Sequence, residues 1–180
     1  MWMRIGIVVG LLVAAFAAPA AAVEPPADLL PGSSRQPAFH RSQRSGAVLG
    51  RLLIPAIGVD ETVRAGVDLS IIDLGPAHWV GTSPPGGPGN AVLAGHRTTG
   101  TAPFRDLDRL EVGDLVIFRR EGRPDALYRV SETFVVDPDD VWITYEFGRP
   151  LLTMFACHPK GSARYRIVVQ AELVGVGRIA

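Results

Sequence analysis

One cysteine, Cys157, is the strongest nucleophile in this chain, and four histidines and several arginines are the groups that might activate it. Cysteine attacks as the thiolate, and a neighbouring imidazole or guanidinium helps to generate that form. A site for acyl transfer also needs a positive or hydrogen-bonding group where oxyanion charge develops. A lone cysteine cannot pair within its own chain. It is therefore a buried inert thiol, half of an intermolecular bridge, or a reactive group.

The histidines differ in their surroundings. His40 lies in a Pro-rich stretch and reads as exposed. His158 adjoins Cys157, but neighbours on a continuing strand point to opposite faces, so it is a poor partner unless the chain turns at Pro159. His78, in Gly75-Pro76-Ala77-His78-Trp79, suits a structural hydrogen bond as well as a base. His96 leaves the apolar run Asn90–Ala94, and the exit of a rigid strand can face a cleft, so it ranks ahead of His78. Arg166 follows Cys157 after a loop long enough to set two strand ends side by side. Arg164 would share its face and is a rival, and either could be a plain surface arginine on a strand edge.

These residues need elements to hold them. Short apolar runs bounded by Gly, Pro and Asp begin near Gly46, and the chain has 20 Gly and 15 Pro, which favours short elements over long helices. Val48-Leu49 and Leu52–Ile54 read as a strand closed by Pro55. Asp68–Leu74 reads as one or two helical turns with Asp68 as N-cap and Gly75 as stop. The stretch Thr82–Gly89 is irregular, and Asn90–Ala94 is a buried strand. Ala102–Leu110 carries Phe104, Leu107 and Leu110 at helical spacing, which predicts a short helix. Leu115–Phe118 and Leu127–Val136 read as a hairpin, and Leu151–Phe155 and Ile167–Leu173 complete the strands. About seven short strands with few helices predict a mostly β fold, a closed or nearly closed barrel.

Upstream, Ile5–Val23 is apolar and uncharged, follows Arg4, and nearly matches a hydrocarbon core of ~30 Å as a helix. It reads as an uncleaved anchor, or as a cleaved signal with a cut near Ala18-Pro19-Ala20 or Ala20-Ala21-Ala22. Glu24–Ser45 is a Pro- and Ser-rich tether. The organisation expected is a signal anchor or signal peptide over 1–23, a tether over 24–45 and one catalytic barrel over 46–180, outside the cytoplasm. Lys+Arg and Asp+Glu are both 18, so no basic excess points to nucleic acid. The acidic turn Asp137-Pro138-Asp139-Asp140 reads as a solvated loop rather than a calcium site. Neither a metal nor another cofactor is expected.

Taken in order, Ala94-Gly95-His96-Arg97-Thr98-Thr99, Ala102–Leu107, Val112-Gly113-Asp114, Thr153–Pro159 and Arg166–Val169 resemble the motifs of a sortase. The resemblance runs from about Gly50 to Leu173 and is closest to class E, the actinobacterial type, with class D next. It implies the sortase β-barrel, with Cys157 as nucleophile, His96 as acid/base and Arg166 as stabiliser of substrate and oxyanion. It also implies Thr98, Thr99, Thr153 and Ala156 as substrate-binding positions, although hydroxyls at 98 and 99 that merely tie down a loop fit equally well. Two positions depart from the pattern. Ala156 stands where the family usually has Thr, and Gly100 where class E often has Tyr.

The resemblance further implies a cysteine transpeptidase at the cell membrane. Its substrates would be secreted proteins with a C-terminal LPXTG-like sorting signal, cleaved between Thr and Gly through a thioester. The acceptor would be an amine, from a cell-wall peptide or a pilin lysine. A hydrolytic cysteine peptidase and a non-catalytic barrel that binds sorting signals are the alternatives, the second kept open by Ala156.

Overall fold

The computed structural model describes residues 44–178. The apolar segment expected over 1–23, and all of the tether but Arg44 and Ser45, lie outside the described residues. Among the described residues, no helix is long and apolar enough to cross a membrane.

Eight strands form a closed barrel. They are β1 (Val48–Ile54), β2 (Val59–Ala65), β3 (Ala77–His78), β4 (Asn90–Ala94), β5 (Leu115–Arg119), β6 (Asp125–Val136), β7 (Leu151–His158) and β8 (Tyr165–Gly177). Around the barrel the order is β1-β2-β3-β4-β7-β8-β6-β5, and β5 pairs back to β1. Only β2–β3 and β4–β7 are parallel. Closure leaves no free edge, which is how an all-β domain avoids edge-to-edge association.

Two strands were not anticipated. In β2 the residues Val59, Val63 and Ala65 are buried while Asp60 is exposed, a half-buried pattern interrupted by charged Glu61 and Arg64. The two-residue β3 is too short to leave a periodic signal. The helix expected over Ala102–Leu110 is a series of turns ending in a 3₁₀ turn, Leu107–Arg109. Ala102 has φ 46°, outside right-handed helical space, and Phe104 N donates to His96 O instead of joining a helical ladder. The apolar spacing still marked burial, because Phe104, Leu107 and Leu110 are all in the core. One helical turn, α1 (Leu69–Ile72), begins after Asp68 as expected.

Strand alternation divides the apolar residues of β7 and β8 between two cores. Leu152, Met154 and Ala156 of β7, with Ile167, Val169 and Ala171 of β8, fill the barrel. Val168 and Phe155 face outward into a second cluster with Phe134, Val136, Trp142 and Ile143. That cluster is covered by the 3₁₀ turn Val141–Thr144 and the chain after it. Phe134 stacks on Trp142 at 5.7 Å between ring centroids, and Trp142 meets Phe147 edge-on at 6.5 Å.

Candidate active site

The outward rows of β4, β7 and β8 carry the residues singled out by chemistry. Cys157 stands directly opposite Arg166 in the antiparallel β7–β8 pair. Opposite residues share a face, with Cβ atoms ~5 Å apart. Phe155 opposite Val168 forms the next outward pair, followed by Thr153 opposite Gln170. The residues on this face run from apolar at Phe155 to polar at Cys157 and Arg166.

β4 brings His96 to the same end. Ala94 pairs with Phe155 in the parallel ladder, and Gly95 N donates to Phe155 O at 3.2 Å. Continued past the end of the ladder at Ala94, that register points His96 toward Cys157. Another step sets Arg97 beside His158, and there Arg97 Nη1 meets His158 Nδ1 at 2.5 Å. Positions 96 and 157 are thus flanked by an observed contact on each side. Gly95 leaves room for the buried Phe104 ring: a Cβ there would come within 2.5 Å of it.

The site is open enough for a peptide to reach. Cys157 is half-buried and is a free thiol. The His96 side chain is 20% exposed, and its Nε2 lies 2.8 Å from Asp73 Oδ1, just past α1. Arg166 Nη1 donates to Ala163 O and Tyr165 O, at 2.9 Å each, which holds the guanidinium at the start of β8. Arg164 precedes the strand, is exposed, and lies 5.2 Å from the centroid of the Tyr165 ring. Trp79 packs against Phe155 with ring centroids 6.0 Å apart, so an aromatic wall flanks the outward face.

The other two described histidines are committed elsewhere. His78 is 1% exposed, and its Nε2 contacts Ser83 O at 2.9 Å and Thr82 Oγ1 at 3.2 Å. Burial pushes its pKa down, with the Ser83 carbonyl opposing, so it favours the neutral ring. β7 does continue through His158, whose ring therefore lies on the opposite face from Cys157. Burial and the Arg97 charge both lower the His158 pKa. A cis bond joins it to Pro159.

Thr98 and Thr99 are exposed on the loop after His96, where Thr99 O accepts from Ala102 N. Two expected substrate-binding positions lie differently. Thr153 is fully buried, and its hydroxyl donates to Asn90 Oδ1 at 2.7 Å. Asn90 Nδ2 in turn donates to Ile143 O and Tyr145 O, so Thr153 helps to hold the 141–147 segment over the barrel. Ala156 is 2% exposed and packs inside the barrel, because alternation turns it away from the Cys157 face. Neither side chain is placed to touch a peptide lying beside Cys157.

Sequence reasoning missed Asp73, Arg97, Asn90 and Glu146. The Glu146 carboxylate accepts from Asn90 N at 3.1 Å, and burial raises its pKa while that N–H opposes the rise. Asp73 and Glu146 are far in sequence from what they touch and leave no local signal. Arg97 had one: it directly follows His96 and so must face the opposite side.

A closed barrel with cysteine, arginine and histidine converging at one end of adjacent strands defines a class of protein, and the chain belongs to it: the sortase domain family matches residues 52–174. Among particular relatives, it is similar to sortase D of Bacillus subtilis, 30% identical over 135 residues that cover 72% of this chain and 66% of that protein. It is also similar to sortase SrtE2 of Streptomyces coelicolor, 30% identical over 152 residues, 74% of this chain and 58% of that protein. The chain thus spans less than two thirds of the length of these curated relatives. The crystal structure of sortase C-3 from Streptococcus pneumoniae superimposes with a TM-score of 0.70 at 30% identity, covering 76% of this chain and 67% of that one.

Proposed function

We propose that this chain is a cysteine transpeptidase that cleaves an LPXTG-like C-terminal sorting signal between Thr and Gly and passes the acyl group to an amine. The observation that carries the reading is the outward pair in which Cys157 opposes Arg166; His96, two residues past the end of β4, is the base this reading assigns. Phe155, half-buried and packed against Trp79, offers an apolar surface for the apolar residues of such a signal.

The roles follow from chemistry. The Cys157 thiolate attacks the Thr carbonyl carbon, and the electron pair moves onto oxygen. Arg166 N–H groups stabilise that oxyanion, with Nε and Nη2 free to turn toward it while Nη1 stays on its two carbonyls. As the C–N bond breaks, the leaving Gly amine takes a proton from the His96 imidazolium, and a thioester remains on Cys157. The acceptor amine then attacks the thioester and gives its proton to neutral His96, and Cys157 leaves as thiolate. Asp73, bonded to Nε2, orients the ring for both proton transfers. Substrates would be secreted proteins carrying the signal. Acceptors would be cell-wall peptides or pilin lysines. In this reading Ile5–Val23 anchors the enzyme in the cell membrane with the barrel outside.

The reading is tested by incubating the protein with a labelled sorting peptide. A hydroxylamine-sensitive adduct is expected, and its persistence in Cys157→Ala would refute the assignment. Adding an amine separates transfer from hydrolysis: an amide product marks a transpeptidase, and only free acid marks a peptidase. A non-catalytic binding barrel was suggested by Ala156, yet that side chain lies inside the barrel and gives the idea no support at the groove.

A further inference from the structure

Next to positions 96 and 157 lies an ion-dipole cluster, centred on a buried arginine, that the reaction above does not use. Arg97 is 2% exposed. Its guanidinium reaches three acceptors on two segments: His158 Nδ1 at 2.5 Å, and Asp108 Oδ1 at 2.9 Å with Arg105 O at 3.3 Å. Lys160, just past Pro159, closes the other side by binding Asp106 at 2.8 Å and Asp108 at 3.4 Å. Burial alone would raise the Asp108 pKa, but the charge and hydrogen bond of Arg97, with Lys160, hold it below its ordinary value.

We propose that Arg97 is a positioning residue: its buried guanidinium clasps neutral His158 to the Arg105–Asp108 segment and so sets the separation between His96 and Cys157. This rests on Cys157 and His96 being the reacting pair. Arg97 follows His96 directly and His158 follows Cys157 directly. Fixing the inner rung at 97 and 158 therefore fixes the outer rung one residue back, where the β4–β7 ladder has already ended at Ala94. A buried guanidinium is costly unless its donors are met, so the clasp cannot slide without loss. Lysine cannot replace it, because a single ammonium does not reproduce a planar fork that spans three acceptors.

The clasp has a required protonation state. Arg97 only donates, so His158 Nδ1 must accept and the ring must be neutral with its proton on Nε2. The charged and titratable groups around His158 are Arg97 after β4, Asp108 on the 3₁₀ turn, Tyr165 opposite on β8, and the Lys160–Asp106 pair beyond Pro159. A proton on Nδ1 would set donor against donor and open the clasp.

The test uses the full chain, with transfer of a labelled sorting peptide to an amine and folding checked by thermal melting. His158→Ala removes the acceptor. It is expected to lower kcat roughly tenfold or more while KM changes less than about twofold, because geometry rather than binding is lost. His158→Asn places an acceptor near the old Nδ1 and is expected to restore most of kcat. Arg97→Lys is expected to behave like His158→Ala and serves if that variant does not fold. In acid, the wild type should lose kcat below the ordinary histidine value of 6.5 through an ionisation that His158→Asn lacks. Folded His158→Ala or Arg97→Lys with wild-type kcat would overturn the proposal, as would His158→Asn no better than His158→Ala or acid limbs that coincide. Turnover that survives Cys157→Ala would instead overturn the underlying reading and leave these outcomes distinct.

Discussion

Two adjacent rungs at the end of β7 contain the same kinds of group and do opposite things. The outer rung, His96–Cys157–Arg166, is half-exposed and sparsely bonded. The inner rung joins buried Arg97 to half-buried His158 and is tied to Asp108 and the Arg105 carbonyl. The chain alternates between them residue by residue, so the only variable is which way a side chain points. A group whose hydrogen bonds are all met inside the protein holds geometry. A group left with spare donors or acceptors at the surface is available to a substrate. His78 is 1% exposed with its Nε2 held by Ser83 O, so burial keeps it from a substrate.

The contrast can be probed by moving each rung toward the other's condition. The largest effect is expected on the outer rung: Cys157→Ala or His96→Ala should abolish transfer to background in a labelled-peptide assay, and measurable transfer in either would erase the contrast. Arg166→Ala should lower kcat about 10²–10³-fold, the usual cost of one oxyanion donor. An equal loss in Arg164→Ala would show that the register argument chose the wrong arginine.

Smaller effects are expected from the supports. Gly95→Ala forces the Phe104 ring aside, with destabilisation of about 1–3 kcal/mol by overpacking. A denaturant midpoint unchanged from wild type would show that the ring yields freely. Thr153→Val leaves Asn90 Oδ1 without its donor and should destabilise by about 1–3 kcal/mol while KM for the peptide stays near wild type. A large KM rise with stability intact would return Thr153 to the substrate groove.

The smallest effect concerns acid. The folded-state pKa of His78 lies below its ordinary 6.5, so as pH falls through that value the unfolded chain takes up the proton first. The sign is therefore a loss of stability on acidification below about pH 6.5, full above it. His78→Gln should flatten that slope in melting temperature between pH 7 and 5, and an unchanged slope would assign it to other groups.

Much of this was legible from residue order. Asn90–Ala94 has as β4 the bounds that the sequence predicts, because four apolar residues between Gly-rich segments have few other uses. The β5–β6 hairpin followed from two β-rich runs flanking a polar loop. The β2 strand was overlooked because its charged residues obscure the alternation. The turn at 102–110 was overread because apolar spacing reports burial, and a backbone with φ 46° at Ala102 can bury the same residues without a helix. Ala156 looked like a gap beside the nucleophile, and alternation turns it into a core residue instead.

Composition and local pattern were enough to settle the inventory of chemistry: one thiol, its nearby histidines and arginines, and strands to carry them. Adjacency of Cys157 and Arg166 was also nearly local, since a short loop joins their antiparallel strands. His96 ranks first from its place after β4 and from the family resemblance, whereas the Arg97 clasp depends on the parallel pairing of β4 with β7. Arg97 and His158 are 61 positions apart, and no local periodicity encodes which parallel strand a segment joins or in what register. Barrel closure and the packing of two cores select that register, because a slip by one residue would turn each side chain of β4 to the wrong face.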